Sequence, residues 1–186
     1  MMLQNLPNVI TLIRIVLAPV IAIILWQPQT AYLGVIALAL FCFAGFSDWL
    51  DGWLARRLNI VSSVGRMLDP IADKLLIAAC LIAFAAQRGA DALFLIPALI
   101  IIFREFLVSG LREYLADTKI TVPVSLAAKW KTALQMIAIG CLIAAPAFPE
   151  FNWLDRAGLV LLWISAVLTV QTGLAYFKAS HPHFKS

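Results

Sequence analysis

The sequence contains few charged residues. Only 13% of its 186 residues are Asp, Glu, Lys or Arg, whereas 63% are apolar. Water-soluble domains usually have about 25% charged and about 50% apolar residues. Positions 15–47 contain no charged residue at all, and a membrane-spanning helix needs about 20 mostly apolar residues. The shortage of charge therefore excludes a single water-soluble core and predicts an integral membrane protein.

Cysteine and histidine are also scarce. Cys42, Cys80 and Cys141 lie alone in separate apolar runs, and both histidines, His181 and His183, fall within the last six residues. No CxxC pair and no Cys/His spacing typical of a ligand set is present. A zinc site and a disulfide framework are therefore not expected.

Polar breaks divide the chain into six apolar segments. The predicted helical spans are 8–26, 31–58, 67–86, 92–116, 125–146 and 153–177. Each is long enough to cross a bilayer once the polar ends are included. The expected fold class is an all-α integral membrane protein with six transmembrane helices, in one domain over residues 1–186.

The basic residues predict the orientation. With six spans both termini lie on one side, and 12 of the 14 lysines and arginines fall toward that side, leaving Arg88 and Arg156 opposite. Cytoplasmic segments carry the excess of positive charge, so the termini are expected in the cytoplasm, with the chain in the cytoplasmic (inner) membrane. Anionic membrane lipids suit the basic side. Nucleic acid is not an expected partner, because no solvated basic domain exists.

Four aspartates form two pairs at the predicted cytoplasmic face. Asp48 and Asp51 are three apart near the end of the second span, and Asp69 and Asp73 are four apart in the third, so each pair shares a helical face. Four carboxylates at a membrane boundary are costly unless they are neutralised. Oxygen ligands suit Mg²⁺ and Mn²⁺, and two adjacent metals serve in-line phosphoryl displacement. The pattern predicts a two-metal active site.

Two other interpretations of the aspartates remain open. Ion pairs with Arg56, Arg57, Arg66 or Lys74 could account for one or two of the carboxylates. A divalent-cation transporter is the alternative outside the enzymes, because intramembrane acids often line ion paths. Against a transporter, the acids cluster near one face of the membrane, with no second set continuing across it.

The segment around the aspartates resembles the signature of the CDP-alcohol phosphatidyltransferases, D-x2-D-G-x2-A-R-x8-G-x3-D-x3-D. Every fixed position is filled, by Asp48, Asp51, Gly52, Ala55, Arg56, Gly65, Asp69 and Asp73. The resemblance implies a membrane-embedded transferase that acts on a CDP-linked lipid. It also implies a homodimer.

The resemblance further implies roles for single residues. The four aspartates would hold two Mg²⁺ or Mn²⁺ ions, and Asp73 would also be the base toward the acceptor hydroxyl. The CDP-lipid site would comprise Gly52, Ala55, Arg56, Gly65 and, on the first helix, Asn8 and Thr11. Capping of the first helix is an equally good interpretation of Asn8.

Cations further along the chain indicate an anionic second substrate. Glu105, Ser109 and Arg112 form one stripe at i, i+4 and i+7, and Lys129 and Lys131 open the fifth span. Cations beside an acidic metal site favour a pocket for an anion. The alternative is that these residues only anchor the helices, with their charged ends extending to the membrane surface.

The segments REFLVSGLRE and K-x-K-T-x2-Q resemble family members whose acceptor is glycerol 3-phosphate. The resemblance implies that CDP-diacylglycerol and glycerol 3-phosphate give phosphatidylglycerophosphate and CMP. Arg112, Lys129 and Lys131 would bind the acceptor phosphate. A cardiolipin synthase, or another family member with a different alcohol, is the alternative within the family.

Overall fold

The computed structural model describes residues 6–58, 63–89, 91–117 and 126–180, with side chains described for 9–47, 68, 70–89, 91–115 and 130–180. These residues form six α-helices and, within the described ranges, no strand. The helices are α1 (Leu6–Trp26), α2 (Ala31–Leu58), α3 (Ser63–Gln87), α4 (Ala92–Asp117), α5 (Leu126–Ala147) and α6 (Trp153–Ser180). The predicted all-α class is confirmed.

The helix ends agree with the prediction to within a few residues. The largest difference is at α3, which begins at Ser63 rather than at position 67. Pro70 lies inside α3 without ending it. A proline lacks the N–H donor, and its ring crowds the carbonyl four residues earlier. Membrane helices tolerate this where neighbouring groups satisfy the freed carbonyl.

Five helices are long and apolar enough to cross a membrane, namely α1, α3, α4, α5 and α6. The apolar part of α2 among the described side chains is shorter, at 17 residues from Ala31 to Ser47. The whole of α2 has 28 residues, which is about 42 Å at 1.5 Å per residue. The chain is a multi-pass membrane protein, and the crossing by α2 stays a prediction.

The helices pack in a bundle in which α1 contacts α2 and α3, while α5 contacts α2 and α6, and α4 contacts α6. Most of the buried residues of α6 are three or four positions apart, which is the spacing of one helical face. They are Gly158, Leu162, Ser165, Ala166, Thr169, Gly173, Tyr176 and Ser180. Close packing explains the small ones, since a Cβ on Gly158 would lie 2.7 Å from Leu142 Cγ. This seam fixes α6 against α5 and α4.

An ion pair closes the end of the bundle predicted to face away from the cytoplasm. Arg88, just after α3, donates from Nη2 to Asp155 in the first turn of α6. The Arg88 guanidinium also lies 6.0 Å from the ring centroid of Phe84 and 5.4 Å from that of Phe94. Three helix ends are therefore held together on this side.

Exposed aromatic side chains mark both ends of the bundle. Trp26, Tyr32 and Trp153 are exposed at the end that contains Arg88, and Trp130 is exposed at the other end. Tryptophan and tyrosine are enriched at the two membrane–water interfaces. Trp130 directly precedes Lys131, so we expect residues near Lys131 to lie close to the level of one interface.

Candidate active site

A cavity of about 340 Å³ opens between α3, α4 and α5, at the end of the bundle opposite Arg88. Its volume lies in the range of small-molecule sites. It is lined by Pro70, Asp73, Lys74, Ile77, Arg104, Glu105, Val108, Ser109, Arg112, Lys131, Thr132 and Gln135. The cavity thus combines the start of α3, the second half of α4 and the start of α5.

The cavity carries more positive than negative charge. Among the side chains that the structure describes, four cationic ones line it, those of Lys74, Arg104, Arg112 and Lys131, against the two carboxylates of Asp73 and Glu105. The formal excess is two positive charges. A phosphate monoester dianion would neutralise it, so the cavity is electrostatically complementary to such a ligand.

Asp73 is held by a buried arginine from the first helix. Arg14 is 2% exposed, and its Nη1 donates to Asp73 Oδ1 at 2.6 Å. The Asp73 side chain nevertheless stays 49% exposed. A second cavity of about 130 Å³ touches Arg14, Asp73 and Thr132. Asp73 therefore lies where the two cavities meet, with its carboxylate fixed and accessible.

Glu105 is the centre of a polar network in the cavity wall. Its Oε1 accepts from Lys131 Nζ and, at 3.2 Å, from Arg104 Nη1. Arg104 also donates from Nη2 to Thr172 Oγ1 of α6 at 3.0 Å. The network joins α4, α5 and α6, and Glu105 partly neutralises two of the four cations.

We expect Glu105→Gln to lower the melting temperature of the purified protein by several degrees. The change removes the carboxylate that pairs with Lys131 and Arg104, and a charged hydrogen bond contributes about 1.5–3 kcal/mol. For a chain of this size each kcal/mol shifts Tm by roughly 2–4 °C. Inorganic phosphate should restore most of the loss, because a bound anion stabilises the folded state.

Glu150→Gln is the matched control for this change, since Glu150 is exposed at the opposite end of the bundle. It should leave Tm unchanged with and without phosphate. An equal loss in both variants, or a loss in Glu105→Gln that phosphate does not reverse, would contradict the role of Glu105 as an internal counter-charge.

Two further cavity residues contact α6. The Arg112 guanidinium lies 5.8 Å from the ring centroid of Tyr176, a cation–π distance. The buried Gln135 donates from Nε2 to Thr169 Oγ1 at 3.1 Å. α6 therefore contributes none of the residues that line the cavity but contacts three of them, Arg104, Arg112 and Gln135.

Three of the predicted site residues have described side chains on α3, α4 and α5, and the structure brings these three together. Asp73, Arg112 and Lys131 all line the same cavity, 340 Å³ in volume. Thr11 is fully buried in α1, three residues before Arg14, and its contact with the nucleotide stays a prediction. The predicted residues outside the described side chains are Asn8, Asp48, Asp51, Gly52, Ala55, Arg56, Gly65, Asp69 and Lys129.

The predicted metal site is consequently represented by one ligand. Among the described side chains no group of three or more potential ligands lies together, and three of the four aspartates fall outside them. The Asp73 carboxylate fits the expected ions, because Mg²⁺ and Mn²⁺ take oxygen ligands and the group is accessible from the cavity.

Three further cavity residues, Lys74, Arg104 and Gln135, lie on the cavity wall although the sequence predicts no site role for them. Gln135 comes four residues after Lys131 and so shares its helical face. Lys74 adjoins Asp73, and Arg104 is a charge in the middle of an apolar helix. No local pattern could have paired Arg14 with Asp73, because they are 59 positions apart.

Comparison with known proteins gives a consistent result. The chain matches the family model described as CDP-alcohol phosphatidyltransferase over residues 4–171. It is 45% identical over 183 residues to the CDP-diacylglycerol–glycerol-3-phosphate 3-phosphatidyltransferase of Rickettsia bellii (strain RML369-C), covering 97% of this chain and 98% of the relative. Identity to the proteins with that name from Pseudomonas fluorescens and Salmonella choleraesuis (strain SC-B67) is 39% and 35%, over 98% and 95% of this chain and 93% and 94% of the relatives.

Proposed function

The chain belongs to the CDP-alcohol phosphatidyltransferase family, and on this premise we propose that it transfers the phosphatidyl group of CDP-diacylglycerol to glycerol 3-phosphate. Membership makes it a membrane-bound transferase of phospholipid synthesis. The products would be phosphatidylglycerophosphate and CMP, so the protein would act as a phosphatidylglycerophosphate synthase. The observation that carries the choice of acceptor is the cavity beside Asp73, whose described lining residues have an excess of two positive charges.

The acceptor phosphate would bind at Arg112 and Lys131, with Lys129 as a third cation. A guanidinium offers a planar fork that matches two phosphate oxygens, and an ammonium offers three donors. Lys131 uses one donor on Glu105, which leaves two for a ligand. Lys74 and Arg104 line the same wall and add to the field around the phosphate.

Asp73 would act as the base. Its carboxylate takes the proton of the primary hydroxyl of glycerol 3-phosphate, and that oxygen forms a bond to the phosphorus attached to diacylglycerol. The bond from this phosphorus to CMP breaks, and CMP leaves. Arg14 holds Asp73 in place at 2.6 Å, which keeps the base oriented for a fixed acceptor.

The assignment of the metal ligands and of the CDP-lipid site is based on the resemblance to the family signature. Enzymes of this family generally depend on a metal, and Asp48, Asp51, Asp69 and Asp73 would hold two Mg²⁺ or Mn²⁺ ions. When bound, such ions neutralise the charge of the diphosphate and of the departing CMP. The CDP-lipid site would comprise Asn8, Thr11, Gly52, Ala55, Arg56 and Gly65, with Arg56 on the diphosphate.

The protein would lie in the cytoplasmic (inner) membrane with the cavity and both termini in the cytoplasm. The distribution of basic residues supports this orientation, as does the chemistry, because glycerol 3-phosphate and CMP are polar. A homodimer is proposed on the family resemblance.

One assay tests the proposal. Purified protein receives CDP-diacylglycerol, Mg²⁺ and one alcohol at a time, and CMP release is measured. Release with glycerol 3-phosphate, and not with glycerol or phosphatidylglycerol, is expected. Release with phosphatidylglycerol alone would make the protein a cardiolipin synthase. Cation flux in proteoliposomes without CMP release in any mixture would favour the transporter.

A further inference from the structure

One face of α6 supports the cavity without entering it. Four residues at helical spacing make up this face, Thr169, Thr172, Gly173 and Tyr176, which we name the α6 support stripe. None of these four described residues lines the cavity. Three of them follow residue 171, where the match to the family model ends.

Thr172 is arranged to hold Arg104. Its hydroxyl donates to the carbonyl of Leu168 at 2.8 Å, which commits the proton to the backbone of its own helix. The lone pairs of Oγ1 therefore remain to accept from Arg104 Nη2 at 3.0 Å. With Glu105 on Nη1, the guanidinium is held from two sides.

Gly173 leaves the space in which Arg104 lies. A Cβ at this buried position would be 3.1 Å from Arg104 Cγ and 3.2 Å from Nε. Both distances are shorter than ordinary carbon contacts of about 3.5–4.0 Å. A methyl group here would require the arginine stem to shift by a few tenths of an ångström.

Tyr176 and Thr169 hold the other two side chains. The Tyr176 ring is 9% exposed, and the Arg112 guanidinium lies 5.8 Å from its centroid. Thr169 is fully buried and accepts from Gln135 Nε2 at 3.1 Å. Arg104, Arg112 and Gln135 are thus each oriented by the same helix face.

We propose that the α6 support stripe consists of positioning residues that set the affinity for the phosphate of the acceptor. The argument rests on the proposed function, because it takes the cavity as the acceptor site. Cations on long side chains lose rotamer entropy when they bind a ligand, and a partner that fixes them beforehand lowers that cost. The stripe would act on the acceptor and not on the CDP-lipid, since its contacts lead to α4 and α5.

The test uses three pairs of variants in the full chain. Thr172→Val removes the acceptor oxygen and Thr172→Ser restores it. Tyr176→Leu removes the ring and Tyr176→Phe keeps it. Gly173→Ala crowds Arg104, whereas Gly110→Ala adds a methyl to α4 where no atom of the described residues lies within 4 Å. CMP release is measured against glycerol 3-phosphate and against CDP-diacylglycerol, with inorganic phosphate as a competitor of the acceptor.

We expect the first member of each pair to raise KM for glycerol 3-phosphate and the inhibition constant of phosphate by about 5–10-fold, with kcat and KM for CDP-diacylglycerol unchanged. The second member of each pair should behave like the wild type. Equal losses toward both substrates, a fall in kcat alone, or no difference within the pairs would overturn the positioning role. The wild type is assayed first. If it does not use glycerol 3-phosphate, the proposed function is wrong. If it does, the variants alone decide whether the α6 support stripe has a positioning role.

Discussion

Asp73→Asn should reduce kcat by about 10²–10⁴-fold, the usual contribution of a general base. Asparagine has the same shape and still offers an oxygen to Arg14, but it cannot take the proton of the acceptor hydroxyl. KM for glycerol 3-phosphate should change little, because the cations on α4 and α5 remain. CMP release by purified protein, with both substrates varied, measures the two constants separately.

Asp91→Asn is the matched control, because Asp91 is an exposed aspartate at the opposite end of the bundle. It should keep the full rate. A normal rate for Asp73→Asn would show that the base lies elsewhere. Because Asp73 is also a proposed metal ligand, the rates are compared across Mg²⁺ concentrations, and full recovery at high Mg²⁺ would assign Asp73 to metal binding alone.

The helices could be predicted almost completely from the sequence. In a membrane, apolar length and polar breaks determine where a helix lies, because backbone groups must be satisfied within the segment itself. The start of α3 was predicted less well. The polar residues before Pro70 resemble a loop, but the chain there is already helical.

The cavity could be predicted only in part. Glu105, Ser109 and Arg112 share a face of one helix, so spacing alone places them together, and the structure has all three on the cavity wall. The packing of α4 on α6 could not be read from the sequence. Arg104 and Thr172 are 68 positions apart. Residue spacing within one helix does not indicate which faces of two helices pack together.

The same limit applies to the charge balance of the cavity. The sequence indicates an accumulation of cations, and it gives no means to tell a cation that is already paired from one that is available to a ligand. The structure pairs Lys131 with Glu105 and leaves Arg112 on an aromatic face. Two cations that look equivalent in the sequence therefore have different environments.

The different environments of Lys131 and Arg112 bear on the expected kinetics of the Lys131→Ala variant. We expect the change to raise KM for glycerol 3-phosphate by about 10–100-fold, since a hydrogen bond to a charged group contributes about 1.5–3 kcal/mol. KM for CDP-diacylglycerol should stay near the wild-type value. An equal rise in both constants would remove Lys131 from the acceptor site.

Lys131 could act through direct contact with the phosphate or only by neutralising Glu105, and a double-mutant cycle separates these roles. If neutralisation were its whole role, Lys131→Ala combined with Glu105→Gln would return KM to that of Glu105→Gln alone, because no charge would be left to offset. The ammonium has three donors, and Glu105 takes one of them. Since two donors remain beside the cavity, we expect the double variant to keep most of the raised KM.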